Sequence, residues 1–301
     1  MRISDSMIAA SIVAQIGRAS TRLFQLQHQV ASGLAFTRPS ENPSGALRAA
    51  ALRANISELT RYQANCDQAA TPLRLIEVVL GDIGNALSQA REAALAMSPF
   101  DSAGNQALAG QVNQIARRIV GDANADSEGR YLFSGNEVLT PPVVENPLGI
   151  PPYIYQGDDG QSIVQLSRTI KLVTNVSAAD VLNLGGATDP ARDDALETLR
   201  KVEAALRAGD AEQIQDGLQD IQWHMDRALA LRAETGTRMQ QVELAKGRLN
   251  DGVPALRSLL SGVQDVDLAQ AMIGLRSQEI SYQAAAAAAT SLHRASLLDY
   301  F

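Results

Sequence analysis

The segment from Ile214 to Val263 carries one heptad pattern without a slip. Alternating steps of four and three residues connect mostly apolar positions: Ile214, Leu218, Ile221, Met225, Ala228, Arg232, Thr235, Met239, Val242, Lys246, Leu249, Val253, Leu256, Leu260 and Val263. Such a repeat predicts a single long helix with a continuous packing seam. At ~1.5 Å of rise per residue this helix would be roughly 75 Å long, so it needs partner helices of similar length.

The rest of the chain contains such partners. A second seam, interrupted at Pro72, predicts a long helix over residues 43–97, and shorter seams predict a helix at each end of the chain. The first of these ends at Gly33, and the last runs from about Leu268 to the end. The lengths are nested, because the two end helices match each other and the two long helices inside them match each other.

The joints between the end helices and the long helices are specified by the sequence. Pro39 and Pro43 prevent a helix from running through residues 32–45, and Asn42 before Pro43 is typical of an N-cap followed by the first helical residue. On the other side, the long seam fails at Asp267. We therefore interpret Pro39, Asn42, Pro43 and Asp267 as a hinge motif.

Between the helices, the chemistry of the sequence changes. Residues 129–184 contain short β-branched and aromatic runs separated by Gly and Pro clusters, which predict strands and turns. The predicted fold class is mainly α, with long antiparallel coiled-coil rods formed by both chain ends and a small inserted β-rich domain. The predicted domains are a terminal helical core for assembly (1–42 plus 264–301), a long helical bundle (43–130 plus 188–263) and a β insert (131–187).

Composition excludes several classes of function. The formal charge is −7, which argues against nucleic acid as a main partner. The single cysteine, Cys66, permits no internal disulfide. No apolar run predicts insertion into a membrane, and the first residues lack the pattern of a cleaved signal peptide, so if the protein leaves the cell we expect it to use another route.

The residue patterns do not predict an enzyme. The three histidines, His28, His224 and His293, lie on different helices without ligand-spaced partners, and Cys66 occupies a seam position with no base near it in sequence. Asp158-Asp159-Gly160 lacks the alternating oxygen ligands of a calcium loop and is interpreted as a hairpin turn. We predict no catalytic residues, no cofactor and no metal.

The remaining prediction is assembly. An end helix with one apolar stripe must bury it in the chain's own hairpin or in a neighbouring subunit. The stripes predict an assembly interface formed by Ile12, Ile16, Leu23, Leu26, Val30, Ile273, Ile280, Ala284, Ala287 and Leu298.

Several motifs resemble the flagellin family. They are Met1 to Ser4, Ser32-Gly33, the run from Arg38 to Ala46, the run from Gly129 to Gly135, Ala233 to Arg238, Val266-Asp267, and Ser296 to Phe301. The proline-bounded run is shared with the filament subunit, whereas Arg130 to Gly135 and the aromatic C-terminus are similar to the family's junction subunits. Glu41-Asn42 departs from the two aspartates usual in the family.

The resemblance implies a structural, exported protein of the bacterial flagellum at the hook–filament junction, with the β insert (131–187) facing outward. Its partners would be other copies of itself in a tubular array, the neighbouring hook-associated junction protein, flagellin, and an export chaperone that covers the C-terminal helix. Export would use the flagellar type III apparatus. The alternatives are flagellin itself, a secreted type III effector or translocator, and an enzyme.

Overall fold

A computed structural model describes residues 5–146 and 152–298; in the terminal helices it describes no side chains for residues 5, 6, 8, 9 and 291–298. The chain is 71% helical. The helices are α1 (Asp5–Ser32), α2 (Pro43–Leu95), α3 (Ser102–Ala123), α4 (Ala178–Leu182), α5 (Ala195–Ala208), α6 (Ala211–Gln264) and α7 (Leu268–Leu298). The strands are β1 (Asp126–Ser127), β2 (Arg130–Tyr131), β3 (Val143–Glu145), β4 (Tyr153–Tyr155), β5 (Ile163–Gln165) and β6 (Lys171–Val173).

The helix lengths confirm the nested arrangement. The long helices α2 and α6 have 53 and 54 residues, and the terminal helices α1 and α7 have 28 and 31. Pro72 and Pro254 both lie inside uninterrupted helices. The predicted fold class is confirmed: the chain is mainly helical, with a few small antiparallel strand pairs.

The chain divides into two compact units, one formed from the two ends of the sequence and the other from its middle. Unit 1 comprises Met1–Glu58 and Gly252–Phe301, and unit 2 comprises Leu59–Asp251. These limits fall within α2 and α6, whereas the limits predicted from sequence fall at helix ends. The predicted division into three regions therefore stays a prediction.

In unit 2, α2 and α6 run antiparallel. Lys246 Nζ lies 2.6 Å from Asp67 Oδ1, and Arg232 Nε lies 2.6 Å from Glu77 Oε1, so the numbering rises on one helix as it falls on the other. Arg232 and Lys246 are the two charged residues among the heptad positions of the long seam. Most other seam positions of α6 are buried or half-buried, as the heptad pattern predicts.

The strands form three separate antiparallel pairs, β1 with β2, β3 with β4, and β5 with β6. Their apolar residues enter the helical cores of unit 2: Phe133 and Val143 belong to the cluster around Leu80, and Leu172 belongs to the cluster around Leu73. The strand-bearing segment thus packs on the helices through shared cores.

One local prediction needs correction. Asp158–Gly160 is not a hairpin turn but part of the loop between the separate pairs β3–β4 and β5–β6. Helix α5 begins at Ala195, because Asp194 is its N-cap and accepts a 2.8 Å bond from the Glu197 amide.

Candidate assembly surface

In unit 1, the two helix breaks are joined by backbone hydrogen bonds. The Ala35 amide donates to the Gln264 carbonyl at 2.8 Å, and the Val266 amide donates to the Gly33 carbonyl at 2.9 Å. These bonds flank an antiparallel bridge between Leu34 and Asp265. Gly33 has φ +72°, a left-handed conformation that favours glycine past a helix end.

The predicted hinge residues lie around this pair of breaks. Asn42 caps α2, because its Oδ1 accepts a 2.9 Å bond from the Gly45 amide and Pro43 is the first helical residue. Asp267 caps α7 in the same way, its Oδ1 accepting a 3.1 Å bond from the Gln270 amide. Pro39 lies in the exposed turn before Asn42. Whether these residues act as a hinge stays a prediction.

Glu41, which departs from the family pattern, has a local structural role. Its Oε2 accepts bonds from the amides of Thr37 (2.9 Å) and Arg38 (3.3 Å). Because these amides favour the charged carboxylate, they lower the pKa of Glu41. Phe36, in the same segment, is buried. The segment between α1 and α2 is thus fixed by specific contacts.

The terminal helices α1 and α7 pack against each other along their length. Gln278 Nε2 donates to the Ala19 carbonyl at 3.3 Å, and a Cβ on Gly274 would lie 3.7 Å from Leu26 Cδ2. The pairing is antiparallel and continues the register of the Leu34–Asp265 bridge. The stripe predicted on α1 is half-buried at every position: Ile12, Ile16, Leu23, Leu26 and Val30.

On α7, a different face from the predicted one is turned inward. We call it the inner face; it is buried or half-buried and consists of Ala271, Leu275, Gln278, Tyr282 and Ala289. The predicted stripe, which we call the outer stripe, consists of Ile273, Ile280, Ala284 and Ala287, and all four are exposed. Ile273 is 72% exposed and Ile280 62%. Leu298 ends α7, but its side chain lies outside the described residues.

The outer stripe therefore does not pack against α1. At 3.6 residues per turn, Ile280 lies about half a turn from Tyr282 and Leu275 around α7, so the two faces are opposite. The pattern of apolar residues did not reveal the inner face, because Gly274 and Gln278 on this side of α7 have no apolar side chain. The spacing of Leu275 and Tyr282, seven residues apart, was the available signal. The role of the outer stripe as an assembly interface stays a prediction.

The other candidate residues lie in unit 2. Cys66 is fully buried, and burial raises the pKa of its thiol, which disfavours the thiolate. His224 is also buried, against Trp223 and Thr198. Among the described residues, no His, Cys, Asp and Glu side chains group into a potential metal site, and no helix is long and apolar enough to span a bilayer.

Comparisons with known proteins agree with this arrangement of helices. Residues 3–137 match the family model described as the bacterial flagellin N-terminal helical region. The chain thus carries a helical region of the flagellin type. This match confirms the resemblance that the proline-bounded run and the other motifs indicated.

Over its whole length, the chain is similar to one particular member of the flagellar proteins. It is 22% identical to flagellar hook-associated protein 3 of Salmonella typhimurium, over 325 residues and 99% of both chains, and 22% identical to the Escherichia coli protein of the same name, over 317 residues and 99% of both chains. The crystal structure of the flagellar junction protein FlgL from Legionella pneumophila superposes with a TM-score of 0.60 and 17% identity, covering 72% of this chain and 99% of that one. This superposition shows a shared fold.

Proposed function

We propose that the chain is a structural subunit of the bacterial flagellum at the hook–filament junction. The observation that carries this proposal is the similarity to two flagellar hook-associated proteins 3. Each of them aligns with 99% of this chain over 99% of its own length. The helical fold and the hydrogen-bonded joint of unit 1 are consistent with a structural role. We propose a structural rather than a catalytic role, because the relatives that align with the whole chain are flagellar hook-associated proteins.

In this proposal, the hairpin of α1 and α7 is the assembly element. The α1 stripe is already engaged within the chain, so the surface available to neighbours is the outside of the hairpin, including the outer stripe of α7. Exposed apolar side chains repeated along one helix face are typical of interaction surfaces. The neighbours would be further copies, the hook-side junction protein and flagellin.

Export without a cleaved signal peptide is part of the same proposal. A dedicated chaperone would cover the outer stripe of α7 before export, because an exposed apolar face favours aggregation. The proposal predicts that a chain truncated before Leu268 no longer binds the chaperone in a pull-down with purified components. Retention of binding would place the chaperone site elsewhere.

Deletion of the gene tests the function. The expected result is that cells keep their hooks and release flagellin into the medium, because filaments have no junction to hold them. Electron microscopy and immunoblotting of the medium measure this. If the chain were flagellin instead, deletion would remove the filament protein itself rather than release it.

Point variants test the surface. Ile280→Asp places a charge on the outer stripe and should reduce filament attachment strongly, while the folded monomer persists because Ile280 is exposed. Leu244→Asp is the matched control, since Leu244 is 64% exposed but lies in unit 2. Equal loss of attachment in both variants would refute a role for the outer stripe.

A further inference from the structure

The side of α1 that faces away from α7 carries a groove. Thr21, Phe24, Gln25 and His28 lie roughly half a turn from the α1 stripe, since α-helices have 3.6 residues per turn. Together with the α1–α2 joint they line a cavity of about 510 Å³. We call it the α1 groove; its lining includes Phe24, His28, Phe36, Arg38, Glu41 and Val263.

The α1 groove is lined by both apolar and polar side chains. Phe24 is 62% exposed and Val263 is half-buried, so both present apolar surface, whereas Phe36 is already buried. Arg38 and Glu41 are exposed among the lining residues, and neither forms an ion pair within the described part of the chain. Glu41 accepts the Thr37 and Arg38 amides through Oε2.

The outer stripe of α7 has complementary features. It presents Ile273 and Ile280 as apolar ridges, and Arg276 and Glu279 lie beside them. Both charged residues are exposed and form no ion pair with any described residue. The stripe thus offers one acid and one base three residues apart, and the groove rim also offers one base and one acid three residues apart.

We propose that the outer stripe of one copy of this chain occupies the α1 groove of the next copy. Ile273 and Ile280 cover Phe24 and Val263, Glu279 faces Arg38, and Arg276 faces Glu41. The inference rests on the proposed function and specifies which two surfaces of the assembly element meet.

The positions of the two surfaces determine the kind of assembly. The α1 groove and the outer stripe lie on opposite sides of the α1–α7 hairpin, so one pair of copies leaves a free groove at one end and a free stripe at the other. A contact of this kind is heterologous, and repeating it generates a ring or a helical array rather than a closed dimer.

Cross-linking of mixed single variants tests the head-to-tail contact. Phe24→Cys and Ile280→Cys are purified separately as full-length chains, mixed at high concentration and treated with a short bis-maleimide. The native Cys66 is fully buried and should not react. The mixture is expected to give a covalent dimer at least about fivefold more abundant than either variant alone. The proposal would be overturned if each variant alone gave as much dimer as the mixture. It would also be overturned if the mixture gave no more heterodimer than a control pair of exposed cysteines.

Charge exchange tests the pairing of the edges. Glu279→Arg and Arg38→Glu, each combined with the cysteine pair, should lower the heterodimer yield about two- to fivefold, as expected for the loss of an exposed ion pair. The double exchange in both partners should restore it, while Glu243→Arg on α6 should leave it unchanged. Failure of the double exchange to restore the yield would overturn the assigned charge pairing.

The two proposals can fail separately. If deletion releases filaments but the cysteine variants give no heterodimer, the junction function stands and this particular contact is wrong. If the heterodimer forms but deletion leaves filaments attached, the contact belongs to another assembly.

Discussion

Arg53 Nη2 donates a 2.5 Å hydrogen bond to the side-chain Oε1 of Gln264, across 211 positions of the sequence. Gln264 is the last residue of α6, is 7% exposed, and its carbonyl also accepts the Ala35 amide. One residue thus connects α2, α6 and the α1–α2 joint of unit 1. Its side chain and its backbone both stabilise the place where the terminal helices begin.

Gln264→Ala should therefore destabilise the joint. Removing the acceptor leaves Arg53 without its partner, and a hydrogen bond to a charged group contributes roughly 1.5–3 kcal/mol. Hydrogen exchange of the Ala35 and Val266 amides should accelerate by a factor of about 10. Gln270→Ala is the control, because the backbone rather than the side chain of Gln270 bonds Asp267. Identical exchange in the two variants would contradict a special role for Gln264.

The cap of α2 is a second test. Asn42→Ala removes the acceptor of the Gly45 amide and should lower the free energy of unfolding by ~1 kcal/mol. Asn42→Asp keeps an acceptor at the same position and should have a much smaller effect. Chemical denaturation of the purified full-length variants measures both. A larger loss in the aspartate variant would show that the amide nitrogen, not the cap, matters.

A close approach of α5 and α6 depends on a glycine. A Cβ on Gly217 would lie only 2.3 Å from Val202 Cγ2, and Val202 is fully buried. Gly217→Ala should destabilise the protein by ~1–3 kcal/mol through overpacking, and Val202→Ala in the same chain should recover part of this loss. Denaturation midpoints measure the change.

Gly247→Ala is the matched control on the same helix. It is exposed, and no atom lies within 4 Å of the added Cβ. Since alanine favours helices over glycine by ~1 kcal/mol, this substitution should stabilise the protein. Destabilisation by both substitutions would show that the close approach to Val202 is not the cause.

The stability of unit 2 should depend on pH through His224. Its side chain is 1% exposed, and burial lowers its pKa to about 4 from the usual 6.5. The unfolded chain therefore binds a proton between these values that the folded chain does not. The stability that depends on neutral His224 is therefore fully present above pH 6.5. It is lost as the pH falls from 6.5 towards 4, and the free energy of unfolding decreases by ~3 kcal/mol over this interval.

His224→Phe should remove this part of the pH dependence. Burial also raises the pKa of Asp194, which adds a pH dependence of its own. The informative quantity is therefore the difference between wild type and variant in the free energy of unfolding at pH 7 and at pH 4.5. The variant should lose ~2 kcal/mol less than wild type over this interval. An equal loss in both proteins would contradict the assignment to His224.

The long helices could be predicted from sequence because their patterns are redundant. Fifteen positions support the seam of α6, so polar residues such as Arg232 and Lys246 did not obscure it, and the structure pairs both with acids on α2. The cap at Asn42 was also predictable, because it depends on neighbouring residues alone.

The face of α7 could not be predicted in the same way. Residues 284–289 are all alanine, so every face of that stretch is equally apolar and periodicity carries no information. Earlier in α7, Ile273 and Ile280 were the strongest apolar signal, yet Leu26 packs against the face that contains Gly274. The inner face is selected by the fit to α1, which the sequence of α7 does not contain.

The strand pairing was likewise not predictable from residue types. The sequence identified the short runs, but each run has only two or three paired residues. Which run pairs with which depends on the helical cores beneath them, where Phe133 and Leu172 are anchored. Asp158–Gly160 has the composition of a hairpin turn but connects strands that belong to different pairs.

The hydrogen bond from Gln278 to Ala19 joins residues 259 positions apart, and every contact between α1 and α7 has a comparable separation. Whichever end of the polypeptide becomes available first must therefore wait, with its apolar side chains unsatisfied, until nearly the whole chain has followed. Closing so large a loop carries an entropic cost that the middle of the chain reduces only after it has folded. We therefore expect the terminal hairpin to form late, so that the apolar stripes of its two helices stay exposed until the middle of the chain has folded.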